Sequence, residues 1–471
     1  MSGMLTVDLY HLRRRLLKGS ITQGLQGYAK VRALLPEQRV SQSTHRAPPT
    51  HPTTPEDFRP LETGCFQNPY AFYRMLRDEY PVYRLRNGIY CISRYDDIQT
   101  VSRDTNTFSS EHQGVIANLK PGQDLLQQVR RFEKMTALGI IPADVLATSD
   151  PPQHTVERKI GHTSLNAHFV KSLEPEVEKL STNMLAPLLD AGEMEFMQAF
   201  GWRLPMVLII RLLGLPEQDF TKIKKWCVDT LNSQNGIQTS AELAQSYVSA
   251  INFLDYCWTQ YLKVKTNPGN NLMGILAKSA DDAATPFDDK KAVSAIFQLL
   301  IAGSDSSATT MGNALKLLIE RLDLQEKMRA DPALVNDFIE EVFRLESAFQ
   351  GHFRWVTKDT ALHGVQLPRG SRIFLMWAAG NRDERFFENP DELILGRKNG
   401  KKHLTFGHGL HACLGRELAR MEIRIVLQQF LTHTRNLHIT GETPFVASMF
   451  ARTLVTLPIR FERATKPAAL G

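Results

Sequence analysis

FGHGLHACLGRELAR, residues 406–420, is the stretch on which the reading of this chain turns. Gly407 and Gly409 space a loop, a single cysteine follows at 413, and Gly415 precedes the start of a helix. Glycines let backbone N–H groups approach a sulfur closely, and a helix N-terminus stabilises a thiolate. Those are the requirements for an anionic sulfur held axially to an iron. Inert burial is the usual fate of a lone cysteine, but an inert cysteine does not need this glycine spacing.

Working outward, the other four cysteines (Cys65, Cys91, Cys227, Cys257) form no CxxC and no short-spaced His/Cys cluster. Zinc and a disulfide framework are therefore disfavoured, and a reducing compartment fits. Upstream, AVSAIFQLLIAGSDSSATTMGNALKLLIERL (292–322) is helical by length and apolar almost all round at both ends, so it predicts a buried core helix. Its centre, Gly303-Ser304-Asp305-Ser306-Ser307, breaks that pattern. Glycine inside a helix costs about 1 kcal/mol and a buried carboxylate more unless it is partnered. Either a kinked or solvent-facing polar patch lies here, or the helix opens for a small ligand with a carboxyl and a hydroxyl to handle protons. A third segment, DFIEEVFRLES (337–347), puts Glu341 and Arg344 three apart on one helix face. Such pairs are most often surface decoration, although Phe338, Ile339, Val342 and Phe343 favour burial here.

The whole chain has 471 residues, 42% hydrophobic and 23% charged, which excludes collagen-like, wholly disordered and disulfide-scaffold classes. Lys+Arg 56 against Asp+Glu 50 leaves +6, too mild to announce nucleic acid. The stretch LPMVLIIRLLGLP (204–216), broken by Arg211, reads as a buried helix and not a membrane span. Leu5, Leu9, Leu12 and Leu16 with Arg13, Arg14, Arg15 and Lys18 suggest either a short arm on the body or weak peripheral membrane contact through residues 1–20. Residues 40–60 read as a Pro/Ser/Thr-rich linker, which gives an arm and linker over 1–60 and a folded body over 61–465. Within the body the spacing predicts a helix at 69–80, a hairpin about Asn87–Gly88 and a loop over 107–150. Helices dominate 152–346. Two short strands follow near 354–376, then an irregular meander at 381–400, one more helix, and a strand pair at 435–462. No βαβ alternation is present.

The 406–420 segment resembles the cysteine-ligand loop of the cytochrome P450 superfamily, F-G-x-G-x-H-x-C-x-G followed by x-x-L-A-R, with every specified position filled. The other two segments stand in that family's order. SDPPQHTVER (149–158) and NRDERFFENP (381–390) are similar to its soluble bacterial type. The resemblance covers essentially 65–462. It implies a mainly α single-domain fold with small β-sheets, a helix-rich prism around a long oxygen-binding helix, in a cytoplasmic enzyme.

By this resemblance Cys413 is the proximal thiolate of haem b, with Phe406 against the ligand loop. His411, His154, Arg158 and Arg354 are implied as haem-propionate ligands. Glu341, Arg344 and Arg397 are implied as a structural triad. Ala302, Gly303, Asp305 and Ser306 match the oxygen-binding groove, where Asp305 and Ser306 would deliver protons for O₂ cleavage beside Gly303. Serine at 306 replaces the family's usual threonine, which keeps the hydroxyl and loses the methyl that fixes its rotamer. Ala348 and Ile394 stand where proline and aspartate are common.

Between Gly396 and Arg424 seven Lys/Arg (397, 398, 401, 402, 416, 420, 424) face two Glu, a net of +5. An acidic ferredoxin-type partner is expected at that face, through Arg397, Lys398, Lys401, Lys402 and Arg416, delivering NAD(P)H-derived electrons. No flavin or ferredoxin domain is expected within the chain. The pocket is expected to be walled by the 107–150 loop, the helices over 204–265, Phe297, Ile301, Ala348–Phe353 and Ala447–Phe450. Gln350 and His352 are candidates to orient a polar group. A lipophilic substrate (terpenoid, fatty acyl or polyketide-like) and hydroxylation or epoxidation follow. The alternatives are a peroxide-dependent or redox-neutral haem-thiolate enzyme without a redox partner, and a haem protein that binds or senses without turnover.

Overall fold

The computed structural model describes residues 2–34, 52–111, 135–137, 139–233 and 239–464, with backbone only at 2–13 and 31–34. Most of the expected 107–150 pocket loop, and the linker up to 51, lie outside the described residues.

Along the chain, α1 (Ser2–Leu34) precedes the short α2 (Thr63–Gln67) and the amphipathic α3 (Tyr70–Glu79). Strands β1 (Val82–Arg84) and β2 (Tyr90–Ile92) form the expected hairpin, its turn closed by Gly88 at φ +87°. After α4 (Tyr95–Arg103), β3 (Phe108–Ser109) enters the same sheet. The helical half contains α5 (Gln153–Ser164), α6 (Ala167–Ser172) and α7 (Glu174–Leu189). Beyond β4 (Glu193–Glu195), it continues with α8 (Arg203–Leu213), α9 (Phe220–Asn232), α10 (Ser240–Lys265) and α11 (Leu272–Ala280). Then come the 32-residue α12 (Asp289–Glu320), α13 (Leu322–Ala330) and α14 (Leu334–Leu345).

Where two strands are expected near 354–376 there are four: β5 (His352–Val356), β6 (Thr360–Leu362), β7 (Val365–Leu367) and β8 (Arg372–Leu375). The helical turn α15 (Trp377–Gly380) leads into the meander. The chain then forms α16 (Arg416–His433), β9 (Thr434–Ile439) and β10 (Pro458–Arg463). The main sheet runs β1-β2-β8-β5-β3, and β8 pairs antiparallel with β5 so that Arg354 lies opposite Ile373. A second sheet, β4-β10-β9, closes the far end.

The long helix α12 is the axis of the fold. α8, α9, α10, α11, α14 and α16 pack on it, with Phe297 tilted against Phe253 of α10 at 4.9 Å between ring centroids. Phe297, expected to wall the pocket, is therefore a core residue. A π-turn at Met197–Gly201, which no periodicity marks, also packs on α12: a Cβ on Gly312 would sit 2.5 Å from the Met197 sulfur.

At the N-terminus, α1 is far longer than a short arm and lies along α10. Arg14 and Lys18 bond Asp255 at 2.8 and 2.6 Å, and Arg14 also donates to the Gly139 carbonyl. The expected membrane contact through residues 1–20 thus loses two of its cations, which turn toward the protein. No described helix is long and apolar enough to cross a membrane. Phe58 is buried against Phe72 and Tyr73, so the packed body already includes residues just ahead of 61.

Candidate active site

The cysteine loop is built by backbone. Gly407 and Gly409 sit at φ +71° and +73°, and a side chain on Gly409 would meet the Ser102 carbonyl oxygen at 2.9 Å. Those glycines let the loop fold back so that the Cys413 N–H donates to the Phe406 carbonyl at 2.7 Å. Helix α16 begins three residues later. Cys413 is half-buried, while Cys65, Cys91, Cys227 and Cys257 are fully buried. Burial pushes the Cys413 thiol up, opposed by the Gly415 N–H and by the charges of Arg158, Arg416 and Arg420. Among the described residues no group of three or more His, Cys, Asp and Glu is placed to hold a metal. An iron on Cys413 must bring its remaining ligands with it, as a porphyrin does.

Around this loop stands a set of buried donors without acceptors. The rings of His154, on α5, and His411 are 4.3 Å apart. His154 Nδ1, both ring nitrogens of His411 and Arg354 Nε have no hydrogen-bond partner. Asp150, at 3.8 Å from His411 Nε2, is too distant for a hydrogen bond. Burial, and then His411 and Arg158, push His154 down to about 4. Arg354 on β5 is 4% exposed and, among the described residues, is hydrogen-bonded to a carbonyl and an imidazole, the Phe353 oxygen at 2.7 Å and His352 Nδ1 at 3.4 Å. Burial pulls its pKa down to about 10. A buried cation with no carboxylate bonded to it and two imidazoles with unpartnered ring nitrogens are the cradle a dianionic group requires, and the residues fit haem with its two carboxylates. Arg158 stands one turn beyond His154 and donates to His162 at 3.2 Å, with its charge felt at Cys413.

The Glu341 motif is scaffold. Arg344 bonds both Glu341 oxygens at 2.7 and 2.8 Å, and Arg397 adds 3.0 and 3.1 Å. The Ile394 N–H completes the set at 2.9 Å, a backbone contact that does not require aspartate at 394. Arg397 is only 5% exposed, which withdraws it from the expected partner-docking surface. Arg420 and Arg424 are likewise tied, to Glu340 and Glu174. Lys398, Lys401, Lys402 and Arg416 are left as the exposed cations of that face.

On α12, Ala302 is exposed and Gly303 half-exposed, yet the helix runs unbroken through them. The helix does not open as expected at this point: the Ser306 hydroxyl donates to the Ala302 carbonyl at 2.8 Å, as Ser304 does to Leu300 and Thr310 to Ser306. Gly303 packs on α8, where a Cβ would make ordinary contact with Ile209 at 3.4 Å. Asp305 is 5% exposed, and burial raises its carboxyl to about 7. A carboxyl half-protonated near neutrality can pass protons in either direction.

Two expected pocket groups are otherwise engaged. Gln350 accepts from Tyr73 and donates to the Ser448 carbonyl at 3.4 Å. His352 lies against Arg354 and, at 5.8 Å between ring centroids, Trp377. Phe450 and Met449 are buried in the small core with Phe353. Sequence reasoning missed Glu422 of α16, fully buried beside Ser307, with one oxygen unpartnered and its pKa raised by burial to about 8. The signal available was a glutamate at a core-facing position of an amphipathic helix.

The cytochrome P450 family profile matches residues 258–444. Cytochrome P450 144 of Mycobacterium tuberculosis is 32% identical over 83% of this chain and 89% of its own length. Erythromycin C-12 hydroxylase of Saccharopolyspora erythraea is 30% identical over 76% of this chain and 84% of its own. The solved structure of cytochrome P450 CREJ with (4-ethylphenyl) dihydrogen phosphate superposes with a TM-score of 0.77 at 25% identity, covering 87% of this chain and 100% of that one. Cysteine loop, glutamate–arginine clamp, orphaned donors and relatives agree: the chain belongs to the cytochrome P450 family of haem-thiolate monooxygenases.

Proposed function

We propose that this enzyme inserts one oxygen atom of O₂ into a lipophilic small molecule, by hydroxylation or epoxidation. Its electrons come from a separate ferredoxin and reductase. The folded catalytic unit is proposed to span 61–465, with Phe58 just ahead of it packed on α3. Terpenoid, fatty acyl and polyketide-like molecules remain the substrate classes, and the relative named as an erythromycin hydroxylase supports a bulky one.

Haem, bound through Cys413, supplies the iron at which O₂ is activated. The chain's own residues do the rest. His154, Arg158, Arg354 and His411 orient the carboxylates, offsetting their desolvation with charge-assisted donors. Phe406 packs beside Phe343 at 4.6 Å and fixes the start of the loop. Ser306, parked on the Ala302 carbonyl, holds a hydroxyl at the exposed face of α12. Asp305 is about half protonated at neutral pH because nothing charged offsets its burial. The Asp305–Ser306 pair carries the proposal, since cleavage of O₂ consumes two protons that peroxide chemistry does not need. Lys398, Lys401, Lys402 and Arg416 are the proposed docking cations for an acidic partner.

The test is turnover. Lipophilic compounds that shift the haem spin state are supplied with either a ferredoxin system or peroxide. The proposal expects product from the ferredoxin arm, slowed when Lys401 and Lys402 are neutralised. Equal turnover with peroxide and indifference to the lysines would establish the partner-free alternative instead.

A further inference from the structure

Next to the clamp residue Glu341 stands a second buried carboxylate, Glu340, that the mechanism leaves unused. Arg420 of α16 bonds both its oxygens, at 2.6 and 3.1 Å, and His403 donates to it at 3.2 Å. Burial alone would raise Glu340, but the hydrogen bonds from His403 and Arg420 hold it down at about 2. Glu417 adds a 3.0 Å contact to Arg420. So fixed, the Arg420 guanidinium lies 4.9 Å above the Phe406 ring, which also packs on His403 at 5.4 Å. The Phe406 carbonyl receives the Cys413 N–H, so the residue that Arg420 covers is bonded to the cysteine itself.

We propose that Arg420, anchored by Glu340 and stacked on Phe406, is a positioning residue that sets how strongly the Cys413 thiolate donates to iron. The inference rests on Cys413 being the haem ligand. Because two carboxylates already occupy Arg420, it is not free for a docking partner. Removing that charge makes electron uptake harder; removing the charge of Glu340 makes it easier.

The experiment measures the reduction potential of the haem-loaded protein without a redox partner. Arg420→Gln is expected to shift the ferric/ferrous equilibrium about tenfold toward ferric, 59 mV for one electron. Glu340→Gln is expected to move it the opposite way. Arg420→Lys keeps the charge but loses the bidentate, stacked geometry, so its shift should be clearly smaller than that of Arg420→Gln. Should Arg420→Gln fail to take up haem, the opposite-sign shift of Glu340→Gln and the small shift of Arg420→Lys decide. Two shifts of the same sign, or a lysine variant as displaced as the glutamine one, would overturn the proposal by making the pair a mere brace. A carbon monoxide spectrum of the parent protein separates the premises. A thiolate-type spectrum with unmoved potentials defeats this inference alone, whereas a spectrum of another type defeats the ligand assignment beneath it.

Discussion

The guanidinium of Arg344 lies flat against the carboxylate of Glu341, two parallel hydrogen bonds of 2.7 and 2.8 Å with 0% and 1% of the two side chains exposed. Neither group touches the site. Arg344 also donates to the carbonyls of Asn381 and Glu392, so the pair pins the meander to α14 and, through it, the approach to the cysteine loop. Removing one partner strands a buried charge, at a cost of about 3–5 kcal/mol. Glu341→Ala is therefore expected to lower the denaturation midpoint sharply and to abolish haem uptake. Chemical denaturation and the pigment content of purified protein check this.

Two glycines near the sulfur should behave oppositely. Gly409 has φ +73° and would direct a Cβ at the Ser102 carbonyl oxygen, whereas Gly415 has φ −89°, which any residue adopts. Gly409→Ala should cost about 1–3 kcal/mol and displace the loop. Gly415→Ala should leave haem uptake near the parent level. The measurement is haem content together with stability for each variant.

Asp305 gives the stability a pH signature. The folded carboxyl releases its proton near pH 7, while the unfolded one releases it near the ordinary value of 3.8. Between those values the folded state binds more protons, so stability falls as pH rises from about 4 to about 7 and then levels, by on the order of 4 kcal/mol from this group. Asp305→Asn should remove that share of the decline in urea titrations at pH 4 and pH 8. Glu422, raised in the same way to about 8, contributes a similar fall that Glu422→Gln removes. An unchanged pH profile in both variants contradicts the burial argument.

Arg354 separates the empty cradle from the filled one. A buried cation without a carboxylate partner burdens the haem-free chain, so Arg354→Met should stabilise or leave unchanged the apoprotein. The same variant should release haem to an acceptor protein faster, about tenfold, because a charge-assisted hydrogen bond is lost. Denaturation of the apoprotein and haem-transfer kinetics give the two readings.

Ser306→Thr restores the methyl that fixes χ1. It should lower peroxide leakage per electron pair by on the order of twofold without altering substrate binding. Peroxide yield against oxygen consumed is the quantity to measure.

Most of the site was legible where chemistry forces unusual residues together. Glycines 407 and 409 around a lone cysteine, and an aspartate in an apolar helix, both violate local preference and so stand out. The clamp was less legible, because Glu341 and Arg344 share the spacing of surface pairs, and only packing reveals their burial. Arg397 was assigned two roles by sequence. Its reach back to Glu341 is a long-range contact, and that contact decides between them. Strands β6 and β7, three residues each, are too short for alternation to register. The register of α1 against Asp255 depends on a partner more than two hundred residues away. Glu422 was passed over because a glutamate in an Arg/Glu-rich helix reads as solvated until the opposing helix is in place.

The sulfur of Cys413 bears the central claim, and the direct test is the absorption spectrum of the reduced, carbon monoxide-bound protein. The account predicts a thiolate-type spectrum that disappears in Cys413→Ala together with turnover. A histidine-type spectrum in the parent protein, or pigment and product formation that survive the substitution, would contradict it.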